Sequence, residues 1–184
     1  MIRRLNVCLI LLLTLALPMG AHAEYVGSHP ASDVYVTQTV RHTCTLIATT
    51  MMLRNYSCQL GSPYEQVTET GVRNFAWING RGLRQSFSIG QVTVNCSADI
   101  RECGDKKSYL IEALRAHPEG VVIYDTGAPH AIWLFGYDDE TDIFYCADTI
   151  TRNGGRAIPL VESIISGKTQ EDKVNTIDKI WYVE

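Results

Sequence analysis

The stretch VTQTVRHTCTLIATT, residues 36–50, decides how the rest of the chain is read. Cys44 stands where a polar lead-in gives way to an apolar segment, and an amide side chain, Gln38, precedes it by six positions. From Thr43 to Ser57 the sequence places Ile47 and Met51, and Met52 and Tyr56, four apart, with Leu46 and Leu53 seven apart. That is the spacing of a helix with a broad buried face. Thr45, Thr49 and Thr50 lower its intrinsic propensity, so packing must hold it, which predicts a central helix rather than a surface one. A cysteine at such a helix start meets unpaired N–H groups and the positive end of the helix dipole, both of which favour thiolate over thiol.

Upstream, Arg3 and Arg4, an apolar run from Leu5 to Leu17, and AHA at 21–23 after Pro18 and Gly20 have the order of a secretory signal cut after Ala23. The run is shorter than the ~20 residues of a membrane span. The expectation is therefore an exported protein (secreted, periplasmic or cell-surface associated) whose residues 24–184 form one domain. Removing the signal takes away Arg3, Arg4 and Cys8, leaving 14 basic against 20 acidic residues and no basic run. That argues against nucleic acid or an anionic membrane as partner. A chain 46% hydrophobic and 20% charged is a folded globule, without repeats or low-complexity segments.

Downstream, Ser62, Pro63 and Glu65 read as a capping box opening a second helix to about Phe75. Gly80, Gly82 and Gly90 mark irregular chain, with a weak strand or loop around QVTVN. A third helix is predicted over 105–116, stopped by Pro118 and Gly120. The period then becomes extended at 120–125, 130–138, 143–148 and 178–184, the second and third runs forming an antiparallel hairpin about DDET. A short helix is predicted around 160–166. Helices first and a mostly antiparallel sheet afterwards define an α+β domain.

An acyl-transferring thiolate wants an imidazole, a group to orient that ring, and donors for the oxyanion. His130 opens the strand HAIWLFGYD after the loop TGAP, where a ring can project toward a cleft, and Asp148 ends the partner strand, returning to the same end of the sheet. Gln38 and the backbone N–H of Cys44 then supply the oxyanion donors. Plainer roles stand beside these: Cys44 as a buried apolar residue, Asp148 as a turn cap, Gln38 as a polar residue in an extended lead-in. His29 and His117 read as ordinary surface or core residues. His42 competes with His130, but two residues before a helix-start cysteine it has little room to swing back. No C-x2-C or H-x3-H spacing supports zinc, and no metal or cofactor is expected.

Five cysteines remain after the signal, at 44, 58, 96, 103 and 146, an odd count that leaves a thiol unpaired in an oxidising compartment. Cys96 and Cys103 flank a short polar loop and are expected to bridge. With Cys44 and Asp148 at one site, Cys58 lies about 21 Å along the helix while Cys146 lies about 7 Å from Asp148. Those two are therefore expected to remain separate buried thiols.

The ordered set QTVRHTCTLIATTMMLRNY, PHAIWLFGYDD and IFYCADT resembles the papain-like cysteine peptidases, closest to the bacteriocin-processing, or double-glycine leader, peptidase family. The likeness spans most of the chain after residue 23, with specificity in these three patches. It implies a papain-like fold and an exported bacterial cysteine peptidase cleaving a peptide or amide bond through a thioester. Cys44 would be the nucleophile, His130 base and acid, Asp148 the orienting carboxylate and Gln38 the oxyanion donor. Thr45 and Leu46 depart from the Gly-Pro or Gly-x-Ala that often follows the family's cysteine, and Thr149 from its Asp-Pro. The same residues would serve a cell-wall amidase or an acyl-transfer enzyme, and an idle papain-like scaffold that binds a surface partner is the non-enzymatic alternative. Oligomeric state is left open.

Overall fold

The computed structural model describes residues 24–150 and 155–184; the expected signal segment lies outside them. Helix α1, Cys44–Gln59, is buried at every position from Cys44 to Leu53, so it is a core helix rather than an amphipathic one. Its buried threonines are satisfied locally: Thr49 Oγ1 donates to the Thr45 carbonyl at 2.7 Å and Thr50 Oγ1 to that of Leu46 at 2.9 Å. Back-bonding of this kind lets a hydroxyl enter the core without an orphaned donor.

Beneath α1 runs an antiparallel sheet built from β4 (Ser86–Ile89), β5 (Val92–Ser97), β6 (Val121–Asp125), β7 (His130–Asp138), β8 (Ile143–Asp148), β9 (Ile158–Pro159) and β10 (Ile177–Val183). Their order is β4-β5-β10-β6-β7-β8-β9, and β1 (Tyr25–Gly27) adds to the far end of β7. Helix α1 packs on one face over Val122, Ala131, Trp133 and Trp181. The opposite face, with Ile123, Ile132, Leu134 and Ile180, is covered by α3 (Lys106–Ala116) through Leu110 and Leu114 and by α4 (Gln170–Asn175) through Val174. Buried from both sides, β7 reads as a nearly continuous apolar run, as a doubly covered strand should. The domain is thus α+β, as its pattern predicts.

Several boundaries differ. The second helix is split: a 3₁₀ turn at Tyr64–Gln66 precedes α2, Glu69–Ala76, whose cap is Thr68, accepting from the Gly71 amide at 3.1 Å. Ser62 is not that cap; its amide closes the end of α1 on the Ser57 carbonyl. The segment around QVTVN is a full strand, β5, because β10 and β4 pair with it on either side. The chain expected to be irregular about Gly80 and Gly82 holds a two-stranded ribbon, β2 (Trp77–Ile78) with β3 (Gly82–Leu83). The helix expected at 160–166 is only a 3₁₀ turn, Leu160–Glu162, since buried side chains capture the backbone beyond it; the true helix there is α4, set by a Thr169–Asp172 capping box.

The expected Cys96–Cys103 bridge is absent, and all five cysteines of the described residues are free. Strand geometry explains this. Cys96 packs on the α1 face with Val94, whereas Cys103 lies beside Tyr109, Ile180 and Tyr182 on the α3 face, so the sheet separates the two sulfurs. Cys58 and Cys146 are likewise unbridged, on opposite faces, but only Cys146 is fully buried; Cys58 is half-exposed.

Two outcomes are expected. Alkylation of the unreduced, denatured protein should modify both Cys96 and Cys103 by peptide mass mapping; a mass loss of two hydrogens across the pair contradicts the geometry. Gly120, at φ +92°, has no room for a side chain, since an added Cβ would stand 2.6 Å from the Leu134 carbonyl oxygen and 2.5 Å from Trp133 Nε1. Gly120→Ala should therefore lower stability by about 1–3 kcal/mol in urea melts.

Candidate active site

The lead-in to α1 is pinned to the end of β8 before it turns. The Gln38 amide donates to the Thr149 carbonyl at 2.7 Å, and Thr149 Oγ1 donates to Gln38 Oε1 at 3.1 Å. His42 then takes a left-handed conformation, φ 63°, and Thr43 Oγ1 returns a hydrogen bond to the Val40 carbonyl at 2.8 Å. This sharp reversal starts the helix at Cys44, where the first-turn amides have no intrahelical acceptor. The amides of Thr45 and of Ala131, the second residue of β7, both act to lower the pKa of the Cys44 thiol.

His130, the first residue of β7, lies next to the same thiol and lowers its pKa. Its Nε2 meets Asp148 Oδ1 at 2.8 Å, which leaves Nδ1 as the nitrogen for sulfur. Asp148 in turn accepts from the Ile150 amide at 3.2 Å on Oδ1 and from the Ile164 amide at 2.9 Å on Oδ2. The register of β7 on β8 makes this possible by pairing Ile132 with Asp148, so the carboxylate stands beside the start of β7. Cys44, from the first half of the chain, is thus brought beside the hydrogen-bonded pair of His130 and Asp148 from the second half. His42 is exposed and takes no part in it, and His29 stacks on Tyr25 while His117 lies against Tyr182.

The electrostatics follow from that chain. Cys44 is 9% exposed, His130 5% and Asp148 0%, so charges here interact with little screening. Burial alone would push the Cys44 thiol up, but the hydrogen bond and charge of His130, with the Ala131 and Thr45 amides, hold it below its ordinary value. Burial likewise opposes the His130 cation, yet Asp148 and Cys44 together raise it to about 9. Asp148 is held below the ordinary carboxylate range, because its bonds to His130, Ile164 and Ile150 outweigh its burial. His130 therefore favours its cation at neutral pH, and its charge favours the Cys44 thiolate over what burial alone would allow.

Gln38 is near but differently engaged. Its Nε2 donates to the Val40 carbonyl at 2.7 Å, so one of its two N–H bonds is spent within the lead-in. Four residues emerge that the sequence does not signal. Tyr124, on the α1 face opposite Ala131, has its phenol pushed up by burial and then by the charge of Cys44. Asp125 and Lys173 are buried polar residues near the His130–Asp148 end, and Ile164 supplies the amide to Asp148. Lys173 sits in the polar run QEDK, which reads as a solvated helix face; only tertiary packing buries it.

Comparison of the chain with protein-family models, with curated proteins and with solved structures finds no match in any of the three.

Asp148 gives a pH-dependent signature. Its folded value is depressed, so the stability it contributes is fully present above the ordinary carboxylate range and is lost as pH falls through the lowered value. Asp148→Asn should cost about 3 kcal/mol in urea melts at pH 7 and progressively less as pH falls below the ordinary carboxylate range. A cost independent of pH would contradict the charged role.

Proposed function

We propose that the protein is a cysteine hydrolase of the papain-like kind, most closely a peptidase, that cleaves a peptide or amide bond through a thioester. The observation that carries the proposal is a thiol at the start of a buried helix, its pKa lowered by an adjacent histidine whose Nε2 rests on a buried carboxylate. The placement of α1 against one face of an antiparallel sheet, with the histidine and carboxylate at neighbouring strand ends, supports a papain-like arrangement.

In this reading the Cys44 thiolate attacks the carbonyl carbon, and charge develops on its oxygen. The Cys44 backbone N–H and the second N–H of the Gln38 amide are the donors for that oxyanion. The imidazolium of His130 then gives its proton to the departing amine as the C–N bond breaks, leaving a thioester. Neutral His130 next draws a proton from water, which attacks the thioester; the carboxylic acid leaves and the thiolate–imidazolium pair is restored. Asp148 holds the ring in one orientation throughout and stabilises its cation.

Near pH 6, iodoacetamide should label Cys44 much faster than Cys58, Cys96, Cys103 or Cys146, and His130→Ala should slow that labelling by at least about tenfold, the equivalent of one pKa unit. Equal, slow labelling of all five thiols favours the idle scaffold. Once a peptide substrate is found, its turnover should fall as pH rises through about 9, where His130 loses the proton it must donate. Cys44→Ser should abolish turnover at every pH.

A further inference from the structure

Between the 3₁₀ turn at Leu160–Glu162 and α4, the four residues Ser163–Ser166 give two carbonyls and two amides to buried charged side chains. Lys173 is 3% exposed, and its Nζ donates to the Ser163 carbonyl at 2.9 Å and to the Ile165 carbonyl at 2.7 Å. The Ile164 amide donates to Asp148 Oδ2 at 2.9 Å, and the Ser166 amide to Asp125 Oδ2 at 2.7 Å. In a trans peptide the C=O and N–H point in opposite directions. The peptide joining 163 to 164 therefore lies between an ammonium at its oxygen and the Asp148 carboxylate at its hydrogen. The peptide joining 165 to 166 lies between the same ammonium and Asp125. Each amide is polarised from both ends, which strengthens both of its hydrogen bonds.

The two carboxylates belong to the two pieces of sheet that must meet for the thiol to be activated. Asp125 ends β6, pairs across from His130 and accepts the Gly127 amide at 2.7 Å, so it anchors the turn that delivers His130. Asp148 ends β8 and carries the ring's partner oxygen. We propose that Lys173 is the positioning residue of this site: acting through the two polarised peptides of Ser163–Ser166, it fixes the β6–β7 turn and the end of β8 relative to each other and so sets His130 on Asp148. Lys173 touches neither the thiol nor any reacting atom. Among the described residues no carboxylate lies within ion-pair distance of it, so its link to both aspartates runs through backbone. This inference rests on the reading of Asp148 as the group that orients His130.

The groups facing this cluster are His130 on β7, Cys146 and Asp148 on β8, Asp125 on β6, Cys44 on α1, Glu162 in the 3₁₀ turn and Asp172 on α4. Replacing Lys173 with methionine keeps the length of the side chain and deletes its charge and both hydrogen bonds. The test is the pH profile of Cys44 labelling by iodoacetamide in the full chain, read by mass spectrometry, with far-UV circular dichroism to confirm folding and exposed Glu171→Gln as the control on the same helix. In Lys173→Met the rise of labelling with pH should move up by about one unit, a roughly tenfold loss of rate near pH 6 that disappears above pH 9, where the thiol ionises unaided. Glu171→Gln should match wild type. A Lys173→Met profile that overlays wild type overturns the proposal, and so does a uniform loss at all pH values. Should Lys173→Met fail to fold, amide hydrogen exchange of the wild type decides: Ile164 and Ser166 should exchange as slowly as β7 amides, and exchange at open-loop rates overturns the clamp. Slow wild-type labelling of Cys44, no faster than that of Cys58, would defeat the hydrolase reading itself, while the exchange measurement still judges the clamp.

Discussion

The hydrogen bond between His130 Nε2 and Asp148 Oδ1, 2.8 Å long and closed to water, is the contact on which the site depends. A histidine 5% exposed would ordinarily lose its charge to desolvation. Here the carboxylate beside it and the sulfur beyond it reverse that tendency, and the ring is raised to about 9. Without the carboxylate, the ring would be free to turn and the thiol would keep its proton, because burial raises it too. Each of these three buried groups is opposed by desolvation, and each is shifted toward its charged form by the opposite charge of its neighbour.

Holding such a set requires that the elements bearing it cannot move apart. Helix α1 is locked by apolar contacts all round its first three turns, with its threonine hydroxyls folded back on its own carbonyls. The lead-in is tied by Gln38 to Thr149, the residue after Asp148, so the start of the helix and the end of β8 share a fixed distance. On the other side of the sheet, the polarised segment Ser163–Ser166 ties Asp125 to Asp148. The left-handed backbone at His42 is strain of order 1–3 kcal/mol, tolerated at the one place where the chain must reverse to present Cys44.

Strand order explains how residues so distant in sequence meet. Strands β6, β7 and β8 follow one another in space as in sequence, so His130 and Asp148 are joined by a single hairpin. The final strand, β10, enters the middle of the sheet between β5 and β6, which makes the second half of the chain close the core begun by the first. The free sulfurs follow from the same layering. Cys96 and Cys103 are near in sequence, yet the strand that carries Cys96 aims it at α1 while the turn after it carries Cys103 to the α3 side.

Local patterns determined α1, the hairpin of β7 with β8 and the α+β class, since each rests on a long periodic run or a turn whose chemistry is visible in the residues themselves. Cys44, His130 and Asp148 were legible for a related reason: each occupies the first or last residue of such a run, where a side chain meets a neighbouring element's end. Tertiary structure alone decided the rest. The capping box at Ser62–Glu65 is locally sound but lost to Thr68, which stands directly before the residues α2 buries, Val72 and Ala76. The segment 163–166 carries helix-compatible residues but gives up its amides to Asp148 and Asp125, partners 16 and 41 positions away. Lys173 looks like part of a solvated helix face, and its burial under two carbonyls depends on contacts that no local pattern encodes. A short-range signal reports what a segment prefers in isolation, whereas a buried charge seeks whichever backbone the completed fold brings within reach.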